Sequence, residues 1–262
     1  MEIQKTPLVS VIMPSYHAEA FVEETVRSVM NQTMEDWELI IIDDCSKDGT
    51  FELLRSLAQC DSRIRVERNE RNSGVAVTRN RGLDLARGTY AAFIDSDDAW
   101  YPEKLARQIQ RLQDTGADFS YCSYEIVGFS GEKARPDYIV PPTVTFEELL
   151  KENVILCSSL LIRMEALKDI RFTTDFYHED FVLELDLLKQ GFTAAGCTEI
   201  LARWRYIENS RSFNKWKSAQ NRWKIYRHYL KLTPIQSASP FIHYFCAGLR
   251  KYFIRHKNRG GS

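Results

Sequence analysis

The chain has 262 residues, 44% hydrophobic and 27% charged, which suits one large α/β domain or a domain with an appendage. Its formal net charge of −1 conceals an asymmetry: residues 201–262 hold 14 Lys and Arg against the single acidic residue Glu208, or +13, and the other 200 residues hold 21 basic against 35 acidic, or −14. No window of about 18 apolar residues offers a spanning helix, the opening MEIQKTPLVSVIMPSY does not read as a signal peptide, and six scattered cysteines show no C-x-x-C pair or metal-ligand spacing, so free thiols in a reducing cytosol are expected.

In chain order, LVSVIMP (Leu8–Pro14) is a β-branched run ended by proline, and AFVEETVRSVMNQT sets Phe21, Val22, Val26 and Val29 on one helical face. WELIIIDD reads as a second buried strand and TFELLRSLAQC as a helix with apolar positions three and four apart. RIRVERN is a shorter strand, GVAVTRNRGLDLARG a helix closed by Gly88, and TYAAFIDSDD a fourth strand. Near-continuous apolar strands alternating with helices predict a mostly parallel sheet covered on both faces. The second half is less regular. ADFSYCSYEIV reads as a strand, TFEELLKEN as a helix after a threonine cap, and ILCSSLLIRMEAL as a strand leading into a helix. YHEDFVLELDLLKQG places Phe181, Leu185 and Leu188 at helical spacing and stops at Gly191. After about Asn209 the chain turns basic and aromatic, FNKWKSAQNRWKIYRHYLKL and, past the break TPIQSASP, FIHYFCAGLRKYFIRHKNR.

Polar residues gather where three of these strands end: Pro14-Ser15-Tyr16, Asp43-Asp44 and Asp95-Ser96-Asp97-Asp98. A solvated turn explains one such cluster. Three, closing different strands on one rim of a parallel sheet, point to a binding site, since ligands sit beyond the carboxyl ends of such strands. Three aspartates within four positions repel one another and need a counter-charge or free access to water. A divalent cation would supply the former.

VSVIMPSYHAEAFVEETVRSVMNQT, WELIIIDDCSKDGT, NSGVAVTRNRGLDLARGTYAAFIDSDDAW and HEDFVLELDLLKQG together resemble family 2 glycosyltransferases, inverting enzymes with the GT-A nucleotide-sugar-binding fold, and within them the bacterial enzymes that build surface polysaccharides. The resemblance runs from about Leu8 to Tyr206. It implies a catalytic domain over residues 1–208, with a nucleotide-binding half (1–100) and an acceptor half (101–208), followed by a basic amphipathic helical tail (209–262).

The implied site follows the same register. Tyr16 stacks on the base of a nucleotide-sugar donor beside the Pro14 turn, and Asp44 accepts from the ring N–H of uracil, so a UDP-sugar is the expected donor. DDCSKDGT also suits a helix-capping turn, which accounts for Ser46 and Asp48 but leaves Asp44 without a task. In IDSDD the aspartates hold Mn²⁺ or Mg²⁺ on the diphosphate, since hard cations take carboxylate oxygens. Asp97 or Asp98 touches ribose or metal and Asp95 lines the same site, the division among the three being open. Arg79 either pairs with a phosphate or buttresses the aspartates; the bland alternative is a solvated helix arginine. Inversion needs one general base for the acceptor hydroxyl, and the family register puts it at Asp180. Glu179 beside it lines the substrate site or merely favours the helix dipole. His178 stands where a small residue is common, and His17 where asparagine is. Arg205 and the NSRS turn with Ser210 and Ser212 match a segment near the diphosphate.

A nucleotidyltransferase is the rival enzyme class, but MPSYHAEAF carries no Gly-rich phosphate loop, and G-x-G-x-x-G is missing for a Rossmann dehydrogenase. A degenerate nucleotide-sugar-binding scaffold is the non-enzyme alternative. In the tail, Trp216, Trp223, Tyr226 and Tyr229 interleave with Lys217, Arg222, Lys224 and Arg227, which suits an anionic membrane surface, or else packing of the aromatics on the catalytic domain with the cations solvated. No recognition motif for nucleic acid accompanies the charge. The resemblance thus implies a peripheral enzyme at the cytoplasmic face, acting on a polyprenyl-diphosphate-linked saccharide.

Overall fold

The computed structural model describes residues 6–207 and 215–257. Its first elements follow the predicted alternation: β1 (Val9–Ser15), α1 (Val22–Met30), β2 (Trp37–Asp43), α2 (Thr50–Ala58), β3 (Ile64–Arg68), α3 (Val75–Leu85) and β4 (Tyr90–Phe93). β1 and β2 are buried along their whole length, as their largely apolar runs require. There follow β5 (Ala99–Trp100), α4 (Lys104–Thr115), β6 (Phe119–Val127), β7 (Lys133–Tyr138), α5 (Phe146–Lys151), β8 (Leu161–Arg163), α6 (Glu179–Lys189), β9 (Ala194–Arg205), α7 (Lys215–Lys224) and α8 (Pro234–Lys257). A π-helical turn, Ile225–Tyr229, joins α7 to the segment before α8.

The strands form one sheet in the order β3-β2-β1-β4-β8-β6-β9-β5, with β7 added on β6. It is parallel across β3-β2-β1-β4 and mixed beyond: β8 is antiparallel to both β4 and β6, β6 and β9 are parallel, and β5 is antiparallel to β9. Side chains alternate between two cores. From β1, Ile12 joins Phe93, α3, α5 and α6 on one face, while Val9, Val11 and Met13 join α1, α2 and α4 on the other.

Local chemistry explains most element ends. Thr145 forms a capping box at the start of α5, its Oγ accepting from Glu148 N while Glu148 Oε2 accepts from Thr145 N at 2.9 Å. Gly191, at φ +92, follows the end of α6. Three expectations are revised. β4 ends at Phe93, so the aspartates form a turn and are not part of the strand. α3 ends at Leu85, and Gly88 is where the chain passes against β1: a Cβ there would fall 2.5 Å from Ser10 N. ILCSSLLIRMEAL is a three-residue strand between two single 3₁₀ turns, because Cys157–Ser159 curls under the aspartate turn.

The C-terminal segment begins by packing on the body. Ile225, Tyr226 and Leu230 are buried in the core shared with α5 and α6, and the Tyr226 hydroxyl donates to Leu150 O. α8 shows more apolar surface, with Ile235, Ile242 and Phe245 exposed. Among the described residues no helix is long and apolar enough to cross a membrane.

Candidate active site

A cleft of about 560 Å³ lies beyond the carboxyl ends of β1, β2 and β4 and is lined as well by the start of α6. Pro14, near the end of β1, and Tyr16, just past it, line the cleft. The Tyr16 ring is 46% exposed and stacks on His17, with centroids 4.0 Å apart and planes at 17°. His17 takes a left-handed backbone (φ 49) and is held by Ser46 Oγ, which accepts from His17 N at 3.0 Å. Asparagine and histidine are both enriched in that conformation among non-glycine residues, so His17 can keep the backbone that the asparagine common at this position would take.

Asp44, just past β2, lines the cleft but is nearly buried. Its Oδ1 accepts from Asn69 Nδ2 at 2.7 Å and Ser73 N at 2.8 Å, and its Oδ2 from Gly74 N at 2.8 Å. The carboxylate thus satisfies backbone donors at the entry to α3, where a negative charge also suits the helix dipole. The task the sequence left unassigned is a cap for a helix thirty residues on, not for the helix that follows directly.

The aspartate turn after β4 divides in two. Asp95, Ser96 and Asp97 face the cleft. Asp98, grouped with Asp97 as a metal ligand, points into the protein: it is 2% exposed, accepts from Ser158 Oγ at 2.5 Å and from Arg205 N at 2.9 Å, and lies outside the cleft lining. Burial, with Asp97 and Asp95 nearby, pushes its carboxyl well above the usual range. Ser158 also accepts from Asp95 N at 3.0 Å, and Thr25 Oγ1 donates to Asp98 O at 2.7 Å, so α1, β9 and the 3₁₀ turn all grip this loop. Arg205 belongs to the same grip. Its guanidinium donates to Asp97 O, Gly128 O, Phe129 O and Glu24 Oε2, and none of it lines the cleft. It supports the loop from below, which corrects its expected place on the substrate. Ser210 and Ser212 lie outside the described residues.

Arg79 decides between its readings. It is 3% exposed, not solvated, and bridges two carboxylates: Nη2 donates to Asp95 Oδ1 at 2.5 Å and Nη1 to Glu179 Oε1 at 2.8 Å. One buried cation therefore ties the aspartate turn to the first turn of α6. Glu179 is buried on that bridge. Asp180, next along, is half-buried and opens on the cleft, with Oδ1 accepting from Phe181 N at 2.8 Å.

Eight predicted residues, Pro14, Tyr16, Asp44, Arg79, Asp95, Asp97, Glu179 and Asp180, thus meet around one cleft. Ser158 and Asn69 escaped the sequence reading: one serine inside ILCSSLL carries no local signal for a partner 60 residues away. Tyr177, Trp204 and Ile207 add apolar wall.

Electrostatics leave room for a cation. Burial raises the Asp97 carboxyl to about 6, with Asp95 beside it pushing the same way, and among the described residues no side chain donates to it. Nor is any group of three or more His, Cys, Asp or Glu among the described residues placed to hold a metal alone. Asp97 and Asp95 fit an ion that takes its remaining oxygens from a phosphorylated ligand, as divalent cations at nucleotides commonly do.

Comparison with known proteins agrees with this architecture. Residues 10–171 match the family model described as Glycosyl transferase family 2. The chain is 39% identical over 245 residues, 94% of its length and 97% of the relative's, to TuaG of Bacillus subtilis, named for a glycosyltransferase of teichuronic acid biosynthesis. It is 34% identical over 253 residues, 96% and 97% of the two chains, to the Escherichia coli UDP-Glc:alpha-D-GlcNAc-diphosphoundecaprenol beta-1,3-glucosyltransferase WfgD. S. aureus TarS, solved with UDP-GlcNAc, superposes with a TM-score of 0.73 at 20% identity, covering 90% of this chain and 71% of that one. The mannosyltransferase PcManGT from Pyrobaculum calidifontis, solved with GDP-Man and Mn²⁺, gives 0.68 at 18% identity over 92% and 69%. Both share the GT-A fold described above.

Proposed function

The chain belongs to glycosyl transferase family 2, and we propose that this glycosyltransferase moves a sugar, with inversion, from a UDP-sugar to a hydroxyl of a polyprenyl-diphosphate-linked saccharide. The observation that carries the reading is that Asp97 and Asp180 line one cleft together with Tyr16 and Asp44. Tyr16 offers an exposed ring face for the base. Asp44 Oδ2 accepts a single hydrogen bond within the protein, so a lone pair remains for the ring N–H of uracil. The printed donors of WfgD and TarS favour UDP, and that of PcManGT makes GDP the nucleotide to test against.

Asp97, with Asp95 beside it, would hold Mn²⁺ or Mg²⁺, which supplies Lewis-acid neutralisation of the charge on the departing diphosphate. Asp180 takes the proton from the acceptor hydroxyl as its oxygen bonds to the anomeric carbon; the bond from that carbon to the diphosphate oxygen breaks on the opposite face, and UDP leaves with the electron pair. Asp95 and Glu179, clamped on Arg79, keep the donor end and the base at a set separation.

The acceptor's lipid suggests where the enzyme works. Ile235, 86% exposed, stands with Ile242 and Phe245 on α8, which runs into a basic end, as suits the anionic cytosolic face of a membrane. Truncation after Leu232 keeps the buried Tyr226 and Leu230, and should abolish salt-sensitive binding to anionic vesicles while sparing donor hydrolysis.

Calorimetric titration with UDP and GDP in Mn²⁺, with Asp180→Asn assayed alongside, tests the main reading. UDP should bind more tightly, and the variant should bind UDP normally while transfer falls about 100-fold or more. Equal affinity for the two nucleotides removes the role of Asp44, and wild-type transfer by Asp180→Asn removes that of Asp180.

A further inference from the structure

The start of α6 is not capped by its own sequence. His178, at the N-cap position, makes no side-chain capping bond, although Glu179 and Asp180 occupy the first turn. The hold comes from α7. Asn221, 7% exposed, reaches the entering strand of chain with both ends of its amide: Oδ1 accepts from Tyr177 N at 2.9 Å and Nδ2 meets His178 Nδ1 at 3.2 Å. Lys217 stands over the Tyr177 ring at 4.6 Å and Arg222 over the Phe181 ring at 3.4 Å, so α7 grips the chain on both sides of Asp180.

This geometry settles a proton. A backbone N–H only donates, so the amide end on Tyr177 is the oxygen and the end on His178 is the NH₂ group. An NH₂ group only donates as well, so His178 Nδ1 carries a lone pair. Neutral His178, a residue of the cleft wall, is thereby held as the Nε2–H tautomer.

We infer that Asn221 is a positioning residue for the acceptor side of the reaction: it sets the peptide entering α6 and the tautomer of His178, and through them the place of Asp180. The inference rests on Asp180 being the base. Among the described residues Asn221 makes no hydrogen bond to the aspartate turn, Tyr16 or Asp44, so its loss should separate transfer from donor binding.

Two variants test it in the full chain. Asn221→Ala removes both bonds. Asn221→Asp still accepts from Tyr177 N but has nothing to donate, so His178 must turn a protonated Nδ1 toward it. Imidazole ¹⁵N shifts should show His178 with Nδ1 bare in the wild type and protonated in Asn221→Asp. Both variants should bind UDP within about twofold of wild type, while kcat falls or the acceptor KM rises by at least about tenfold, the scale of a displaced catalytic group. A merely structural role would instead weaken UDP binding and transfer together and leave the His178 proton where it was. Protonated Nδ1 in the neutral wild-type ring, or wild-type transfer by Asn221→Asp, overturns the inference; should Asn221→Ala fail to fold, Asn221→Asp alone decides. If Asp180→Asn proves fully active, the reading of the base has failed instead, and the ¹⁵N shifts still judge the Asn221 geometry independently.

Discussion

Replacing Arg79 by methionine keeps most of the buried volume and takes away the cation between Asp95 and Glu179. Arg79 is 3% exposed and makes charge-assisted bonds of 2.5 and 2.8 Å to the two carboxylates. The Glu179 side chain is 8% exposed and the Asp95 side chain 36%, so the first loses the Arg79 cation in a low-dielectric setting and the second can recover water. Breaking a buried pair costs about 3–5 kcal/mol, and with only one strongly buried carboxylate the expectation is the lower end, about 3 kcal/mol. Urea unfolding of wild type, Arg79→Met, Glu179→Gln and the double variant measures it as a cycle. The double variant should recover at least about 1 kcal/mol over Arg79→Met, because the buried carboxylate that Arg79 balanced is then neutral. Arg79→Lys should recover less than wild type, a point charge being unable to span both carboxylates. A loss below about 1 kcal/mol for Arg79→Met, or a double variant no more stable than the single one, would refute the bridge as a buried ion pair.

Glu184 is fully buried, neither oxygen has a hydrogen-bond partner among the described residues, and burial first, then Asp180, raises its carboxyl well above 4.5. The folded state therefore holds a proton that the unfolded chain releases, so stability falls as pH rises above 4.5; Glu184→Gln should be the more stable protein by a margin that widens with pH, and parallel stability curves from about pH 5 to 9 would contradict this. Gly88→Ala drives a Cβ to within 2.5 Å of Ser10 N and 2.9 Å of Ser10 Oγ on β1, and should cost about 1–3 kcal/mol in the same unfolding assay, against no change if the backbone there yields freely.

The residues most legible in the sequence are those whose place follows from strand ends alone. Tyr16, Asp44 and Asp97 sit just past runs that parallel pairing aligns, so one rim collects them whatever the second half does. Asp98 and Arg205 show where that logic stops: which aspartate of DSDD turns inward depends on Ser158 and on the backbone of Arg205, and neither is near in sequence. β9 carries no comparable signal. AAGCTEILARWR has little β-propensity, and it is a strand because β6 pairs with it through two register shifts. The aromatic tail has two candidate uses in the sequence, and burial divides them: Tyr226 enters the core, while Trp216 stays outside.

The grip on the aspartate turn also bears on the order of events as the protein is made. β1 to β4 pair entirely within the first 93 residues and can assemble as soon as they emerge. Asp98 must wait for partners 60 and 107 residues further on. Contacts of such long range form late, after the chain between them has lost its freedom. Until β9 arrives, Asp98 therefore lacks the Arg205 N–H that helps bury it, and the three mutually repelling carboxylates of the turn must stay in water. The cleft that this turn lines is therefore complete only when nearly the whole polypeptide has been delivered.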